Sequence, residues 1–256
     1  MLNVLDLFSG IGGFSLGLER AGMKTVAFCE IDPYCRKVLK KHWPTVTCYE
    51  DIKELSGQKL WDDGNTVSIQ VICGGFPCQD ISVAGRGAGI TGERSGLWSE
   101  YARIIGDLRP LYVIVENVSA LLGRGLERVL GDLASLGYDT EWRCVEAASA
   151  GAPHVRDRIW VVAYSRSKGL ERPQPIWDSL CGVERKTSAE FGNRSVHCGA
   201  RWPKLSRYLR MGYGLPREVD EIRALGNAVV PHIVESMGKA IVKDYQKNFR
   251  NFRAES

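Results

Sequence analysis

The sequence predicts an α/β fold with a doubly wound, mostly parallel sheet. Three observations predict it. Short apolar runs alternate with helical patterns through the first half of the chain. Glycine-rich or acidic segments follow directly after those runs. The 256 residues, 44% of them hydrophobic, suffice for one large domain with a small appendage.

Asn3–Leu7 is the first expected strand, ending in Phe-Ser-Gly before a helix patterned by Phe14, Leu16, Leu18 and Ala21. Lys24–Cys29 reads as the second strand. Asp32–Lys41 reads as a helix, with Asp32 as N-cap and Pro33 at the first position, where its missing N–H is no loss. Val46–Tyr49, Val67–Cys73 and Leu111–Val115 are the third, fourth and fifth strands, with a helix over Leu97–Leu108 between the last two. Leu126–Leu136 is a further helix, stopped by Gly137. Thr140–Val145 and Ile159–Ala163 read as a closing strand pair, and Pro231–Tyr245 as a final helix. On such sheets ligands bind at the carboxyl ends of the strands, where the chemistry-bearing segments of this chain fall.

Composition sets outer bounds. A formal charge of +4 and a pI near 8.6 permit nucleic-acid binding without requiring it. None of the eight cysteines forms a C-x-x-C pair, so no zinc ribbon or other metal site is expected. The N-terminus does not read as a signal peptide, and no apolar run is long enough to span a membrane. A cytoplasmic protein with reduced thiols is therefore expected. From Ser165 to about Glu221 the periodicity fades. Within it, Arg185–Arg217 holds eight basic residues opposed only by Glu190, with Trp202 and Tyr208 interleaved. That stretch reads either as a solvated loop or as a phosphate-tracking surface.

Several residues suit chemistry. Asp6-Leu-Phe-Ser-Gly10-Ile-Gly12-Gly13-Phe14 joins a strand to a helix, and its glycines let a cofactor approach the backbone. Ser15 stands where a dinucleotide fingerprint has its third glycine, which disfavours a nicotinamide oxidoreductase. Glu30 ends the second strand, suited to ribose hydroxyls or to capping the next helix. Asp51 follows the third strand, suited to an adenine amino group or to a turn. Cys78, in Gly75-Phe-Pro-Cys-Gln79, is poised in a glycine-rich turn, though a lone cysteine is more often a buried apolar residue. Glu116 ends the fifth strand, where a buried carboxyl can serve as an acid. Arg156 and Arg158 point to one side of the last strand, as functional groups or as a surface salt-bridge pair.

Taken in order, Asp6-Leu-Phe-Ser-Gly-Ile-Gly-Gly-Phe, Gly75-Phe-Pro-Cys-Gln, Glu116-Asn-Val and Gly226-Asn-Ala-Val-Val-Pro resemble the motifs of the bacterial and phage DNA (cytosine-5) methyltransferases. The resemblance covers Leu2–Ser165 and Arg223–Ile241. It implies a Rossmann-like S-adenosylmethionine-dependent methyltransferase fold with a small recognition insert. Residues 1–164 form the catalytic and cofactor-binding domain, 165–222 the recognition region, and 223–256 a C-terminal helix returning to the catalytic domain. It also implies a cofactor pocket of Phe8, Gly10, Gly12, Gly13, Glu30, Ile31, Asp51, Ile52, Pro77 and Asn227. Cys78 matches the nucleophile, Glu116 the acid at the pyrimidine edge, and Arg156 and Arg158 the arginines beside the flipped base. Gln79, Ser82, Arg86 and Arg94, on a mobile loop, are expected at DNA, with Arg207 and Arg210 of the basic stretch. Two departures stand out: His154 replaces the family's Gln, and Leu209–Glu221 matches the penultimate motif poorly.

The resulting expectation is methyl transfer from S-adenosylmethionine to cytosine carbon 5 in a specific double-stranded DNA site, by a monomer, with a cognate restriction endonuclease compatible. The alternatives are an RNA (transfer-RNA-type) cytosine-5 methyltransferase and a catalytically silent DNA-binding relative.

Overall fold

The computed structural model describes residues 1–65, 67–77, 96–146, 157–166, 224 and 227–254. In chain order the elements are β1 (Asn3–Leu7), α1 (Gly13–Arg20), β2 (Lys24–Cys29), α2 (Pro33–His42), β3 (Thr47–Tyr49), α3 (Gly57–Asp62) and β4 (Val71–Gly74). There follow α4 (Leu97–Leu108), β5 (Tyr112–Val118), α5 (Leu121–Arg124), α6 (Leu126–Ser135), β6 (Tyr138–Glu146), β7 (Asp157–Ser165) and α7 (Pro231–Ala254).

The strands form one seven-stranded sheet in the order β3-β2-β1-β4-β5-β7-β6. All pairings are parallel except those of β7, which runs antiparallel to both β5 and β6. The chain winds outward from β1 to β3, then returns to the other side of β1 with β4. The topological switch point therefore lies between β1 and β4, where a crevice opens at the carboxyl ends of the strands.

The expected mostly parallel α/β sheet is thus observed, with local corrections. Asp32 caps α2 by accepting from the Tyr34 and Cys35 N–H groups at 2.8 and 3.3 Å. Gly137, at φ 88°, ends the α6 segment as anticipated. The closing pair extends by one to two residues at each end. The fourth strand is shorter than Val67–Cys73, because Val67 is exposed and pairing begins at Val71. On α1 the buried stripe is Phe14, Ser15, Gly17 and Leu18, while Leu16 faces outward. Small residues are needed there because α7 lies close. A Cβ on Gly17 would fall 2.6 Å from the Pro231 carbonyl oxygen, and one on Gly238 would fall 2.7 Å from the Ala21 Cβ. The last helix runs nine residues beyond Tyr245. Neither α3 nor α5 was expected from the sequence.

Apolar side chains fill both faces of the sheet, as a doubly wound fold requires. One face packs Leu5, Leu7, Ile72, Val113 and Val115 beneath α4, α5 and α6. The other packs Val4, Val71, Ile114 and Trp160 beneath α1 and α7. Tyr112 ties α7 to the sheet by donating its hydroxyl to Asp244 at 2.6 Å. Among the described residues no helix is long and apolar enough to cross a membrane, and Cys29, Cys35, Cys48, Cys73 and Cys144 are free thiols.

Asp6 is fully buried on β1. Its Oδ2 accepts from the Ser15 hydroxyl at 2.7 Å, while Oδ1 has no hydrogen-bond partner. Burial pushes this carboxyl from 3.8 up to about 8, against the Ser15 bonds that lower it. A raised folded-state value means that the folded chain holds the proton more tightly than the unfolded one. The contribution to stability is therefore full below pH 3.8 and declines as pH rises to about 8. Asp6→Asn, which mimics the neutral acid, is expected to flatten that decline in thermal melts taken across the interval. An unchanged slope would rule out a neutral Asp6.

Candidate active site

The β1–α1 turn forms one wall of the switch-point crevice. Phe8 (φ 51°), Gly10 (φ 54°) and Gly12 (φ 87°) all adopt left-handed backbone. For Phe8 this is a cost of about 1–2 kcal/mol, and such strain is typical of ligand sites. Ser9 braces the turn, donating its hydroxyl to the Asp6 carbonyl at 2.6 Å. Glu30, buried at the end of β2, clamps it from the side. Its Oε2 accepts from the Gly10 N–H at 2.7 Å and its Oε1 from the Asp32 N–H at 2.8 Å. Burial raises the Glu30 carboxyl above its usual range, and the backbone bonds from Asp32 and Gly10 oppose the shift. Each carboxylate oxygen keeps a second lone pair for a further donor such as a ribose hydroxyl.

The three glycines of the turn serve different purposes. A Cβ on Gly10 would meet nothing within 4 Å, so this position opens onto free space. On Gly12 it would fall 2.6 Å from the Trp43 ring, and on Gly13 2.9 Å from Val229. Gly12 and Gly13 are bare because α2 and the segment before α7 pack onto the start of α1. Beside Glu30 the apolar Ile31 is 65% exposed, which suits a surface that a purine would cover. Asp51, just beyond β3, is half-buried and accepts from the Lys53 N–H at 2.9 Å. Ile52 is buried beside it. Gly10, Glu30, Ile31 and Asp51 together fit an adenosine-type ligand.

The other wall comes from β4 and β5. Gly75 leaves β4 against the Glu116 side chain, and a Cβ there would lie 2.8 Å from Glu116 Oε2. Asn117 binds the same turn, its Nδ2 donating to the Phe76 carbonyl at 3.2 Å while its Oδ1 accepts from the Val118 N–H at 2.9 Å. Pro77 follows, half-buried. Across the antiparallel β5–β7 pair, Glu116 stands opposite Trp160 and Val118 opposite Arg158. Arg158 thereby reaches diagonally to Glu116, with Nε 2.8 Å from Oε1. This partly buried ion pair lines a narrow cavity with Val145, Trp160, Val229, Val230 and Ile233. Its members are a carboxyl, a guanidinium and apolar walls, a set able to grip a planar polar ring.

Of the residues singled out in the sequence, Phe8, Gly10, Glu30, Ile31, Asp51 and Ile52 cluster at the carboxyl ends of β1, β2 and β3, while Pro77, Glu116 and Arg158 gather at β4, β5 and β7. Asn227 is exposed, two residues before the Val229 that abuts Gly13. Cys78, Gln79, Ser82, Arg86, Arg94, Arg156, Arg207 and Arg210 lie outside the described residues. Among the described residues no cluster of His, Cys, Asp and Glu could hold a metal ion. Sequence reasoning missed Gly75, Asn117 and Trp160 as parts of this site. The Gly75-Phe-Pro-Cys-Gln and Glu-Asn-Val motifs held a signal for Gly75 and Asn117, and nothing in the sequence signalled Trp160.

The family described as C-5 cytosine-specific DNA methylase matches residues 2–193. The chain is 37% identical over 170 residues to the type II methyltransferase M2.BsuMI of Bacillus subtilis, a match covering 63% of this chain and 42% of that protein. It is 39% identical over 165 residues to the type II methyltransferase M.Eco47II of Escherichia coli, covering 62% and 39%. The matched part thus spans about two fifths of the length of these relatives. Among solved structures, a prophage-encoded Escherichia coli protein assigned as a DNA modification methyltransferase superposes with a TM-score of 0.57 at 27% identity, covering 71% of this chain and 55% of that one. The S. pombe Dnmt2 methyltransferase superposes with a TM-score of 0.59 at 19% identity, covering 84% and 62%, a likeness of fold.

The Gly75 contact yields a structural prediction. The clashing atom is the end of a side chain that can move, but it is a buried, paired carboxylate, so Gly75→Ala should cost roughly 1–3 kcal/mol in denaturant unfolding. A crystal structure of the variant should show the Glu116 carboxylate displaced and its 2.8 Å bond to Arg158 broken. An unmoved Glu116 would contradict the role given to Gly75.

Proposed function

The chain belongs to the C-5 cytosine-specific DNA methylases, and from that premise we propose that it transfers a methyl group from S-adenosylmethionine to carbon 5 of a cytosine within a specific double-stranded DNA sequence. One observation supports this most. The buried Glu116 carboxylate, paired with Arg158, lies against Gly75 of the turn that leads into Cys78.

Cytosine C5 is a poor nucleophile. In this reading the Cys78 thiolate adds to ring carbon 6, and the π electrons of the C5–C6 bond move onto C5. Glu116, once it has taken up a proton from solvent, donates a hydrogen bond at N3 and Arg158 donates one at O2, so that the displaced charge is stabilised where it accumulates. The cofactor, when bound, supplies an electrophilic methyl on a sulfonium, which leaves as a neutral thioether once C5 takes the methyl. A base then removes the C5 proton, the double bond re-forms, and the Cys78 thiolate is expelled. A cytosine stacked in duplex DNA cannot reach these groups, so the base is flipped into the pocket.

Glu30 and Asp51 hold the ribose and adenine ends, with Ile31 and Ile52 against the purine. Phe8 and Gly10 open the β1 turn, and Pro77 and Asn227 border the pocket. Gln79, Ser82, Arg86 and Arg94 contact DNA beside the flipped base, where Arg156 joins Arg158. Arg207 and Arg210 track phosphates. The setting is the cytoplasm, as for restriction-modification enzymes, and the chain acts as a monomer.

DNA with 5-fluorocytosine at the target should trap a denaturation-resistant adduct, because fluorine cannot leave C5 as a proton. Cys78→Ser should form none and should abolish methyl transfer while retaining cofactor binding. Substantial turnover by that variant, or transfer of labelled methyl to RNA in preference to DNA, would overturn the proposal. Charge reversal at Arg207 and Arg210 should weaken DNA binding and reduce the slope of log affinity against log salt by about 2. An unchanged slope would place the phosphate contacts elsewhere.

A further inference from the structure

Trp160 is 1% exposed, and its indole Nε1 has no hydrogen-bond partner. Among the described residues the other indoles packed into the fold are satisfied. Trp98 donates to Asp132 at 2.8 Å and Trp43 to Glu19 at 2.9 Å. A buried N–H left unpaired is costly and rare, so this one calls for an acceptor that arrives with a ligand.

The surroundings of Trp160 identify the acceptor. Trp160 lines the cavity together with Glu116, Arg158, Val229, Val230 and Ile233. It stands opposite Glu116 across the strand pair, and its ring meets Phe14 edge-on at a centroid separation of 5.7 Å. Phe14 belongs to the first turn of α1, and Gly13 before it touches Val229. Trp160 thus sits where the start of α1, the segment before α7 and the end of β5 converge. Glu30 and Asp51, which suit the adenosine end of the cofactor, lie on the far side of β1. A ligand extended from them across the β1 turn presents its opposite end at this convergence. In S-adenosylmethionine that end is an α-amino acid. An indole N–H only donates, so it selects the carboxylate and not the ammonium. The N-terminus of α1 favours the same charge.

We propose that Trp160 is a cofactor-binding residue whose indole N–H donates to the amino-acid carboxylate of S-adenosylmethionine. The proposal rests on the methyl-transfer reading above. Arg158, two residue pairs nearer the carboxyl end of β5, remains the donor to the pyrimidine.

The test uses S-adenosylhomocysteine and 5′-methylthioadenosine, which share the thioether nucleoside but differ in the amino acid. In protein labelled with 15N-tryptophan, one indole N–H resonance should move downfield with S-adenosylhomocysteine and stay in place with 5′-methylthioadenosine. Trp160→Phe should delete that resonance. By calorimetry it should weaken S-adenosylhomocysteine about ten-fold or more, as loss of a hydrogen bond to a charged group does, and leave 5′-methylthioadenosine unchanged. Equal shifts with both ligands, no shift, or equal loss of both affinities would overturn the role of Trp160 while keeping the cofactor. Failure of both ligands to bind the parent protein would overturn the cofactor reading as well. Should Trp160→Phe fail to fold, the ligand pair on the parent protein decides alone.

Discussion

A Cβ on Gly74 would fall 2.2 Å from the Leu7 carbonyl oxygen. No real side chain fits at that distance, so β4 can lie against β1 in this register only with glycine at its end. This contact sets the carboxyl ends of β1 and β4 side by side at the point where the strand order reverses. The β1 turn and the Gly75–Pro77 turn become the two walls of one crevice. Glu30 then reaches the first wall from β2, and Glu116 and Asn117 reach the second from β5. The site is an outcome of strand order, held by backbone contact more than by side-chain packing.

The charged groups around the crevice are handled in three ways. Asp6 sits fully buried beneath the turn, its carboxyl pushed up to about 8. Glu30 is also buried, but two backbone N–H groups stabilise its charge and leave spare lone pairs facing the crevice. Glu116 is balanced by Arg158 across the β5–β7 pair. A partly buried ion pair of this kind contributes little net stability, since desolvation offsets attraction. Its value lies in fixing the orientation of the Glu116 carboxyl and the Arg158 guanidinium against each other.

The sequence made the repeating elements legible, because local rules govern them. Asp32-Pro33 signalled the start of α2, Gly137 the end of the α6 segment, and the apolar runs most strands. What escaped was set by long-range contact. α3 buries only Leu60, so it has no periodicity to read, though Ser56 caps it by accepting from the Lys59 N–H. Leu16 looked like a core residue, yet α1 buries Ser15 against Asp6 of β1 and Gly17 against α7 instead. At the site, the glycine-rich turn, Glu30 and Glu116 were legible as types at strand ends. The reasons for Gly12 and Gly13 were not, because Trp43 and Val229 approach from distant parts of the chain. The pairing of Glu116 with Arg158, and the place of Trp160 beside them, follow from an antiparallel register that no local pattern encodes.

The turn after β4 and the Glu116 carboxyl at the end of β5 are proposed to form one centre for methylating cytosine carbon 5 in DNA. Methylated cytosines resist bisulfite conversion, so sequencing of bisulfite-treated DNA from cells producing the chain should find resistant cytosines at one short recurring sequence, and Glu116→Ala should abolish them. Complete conversion, or a pattern that survives Glu116→Ala, would show that these residues do not form such a centre.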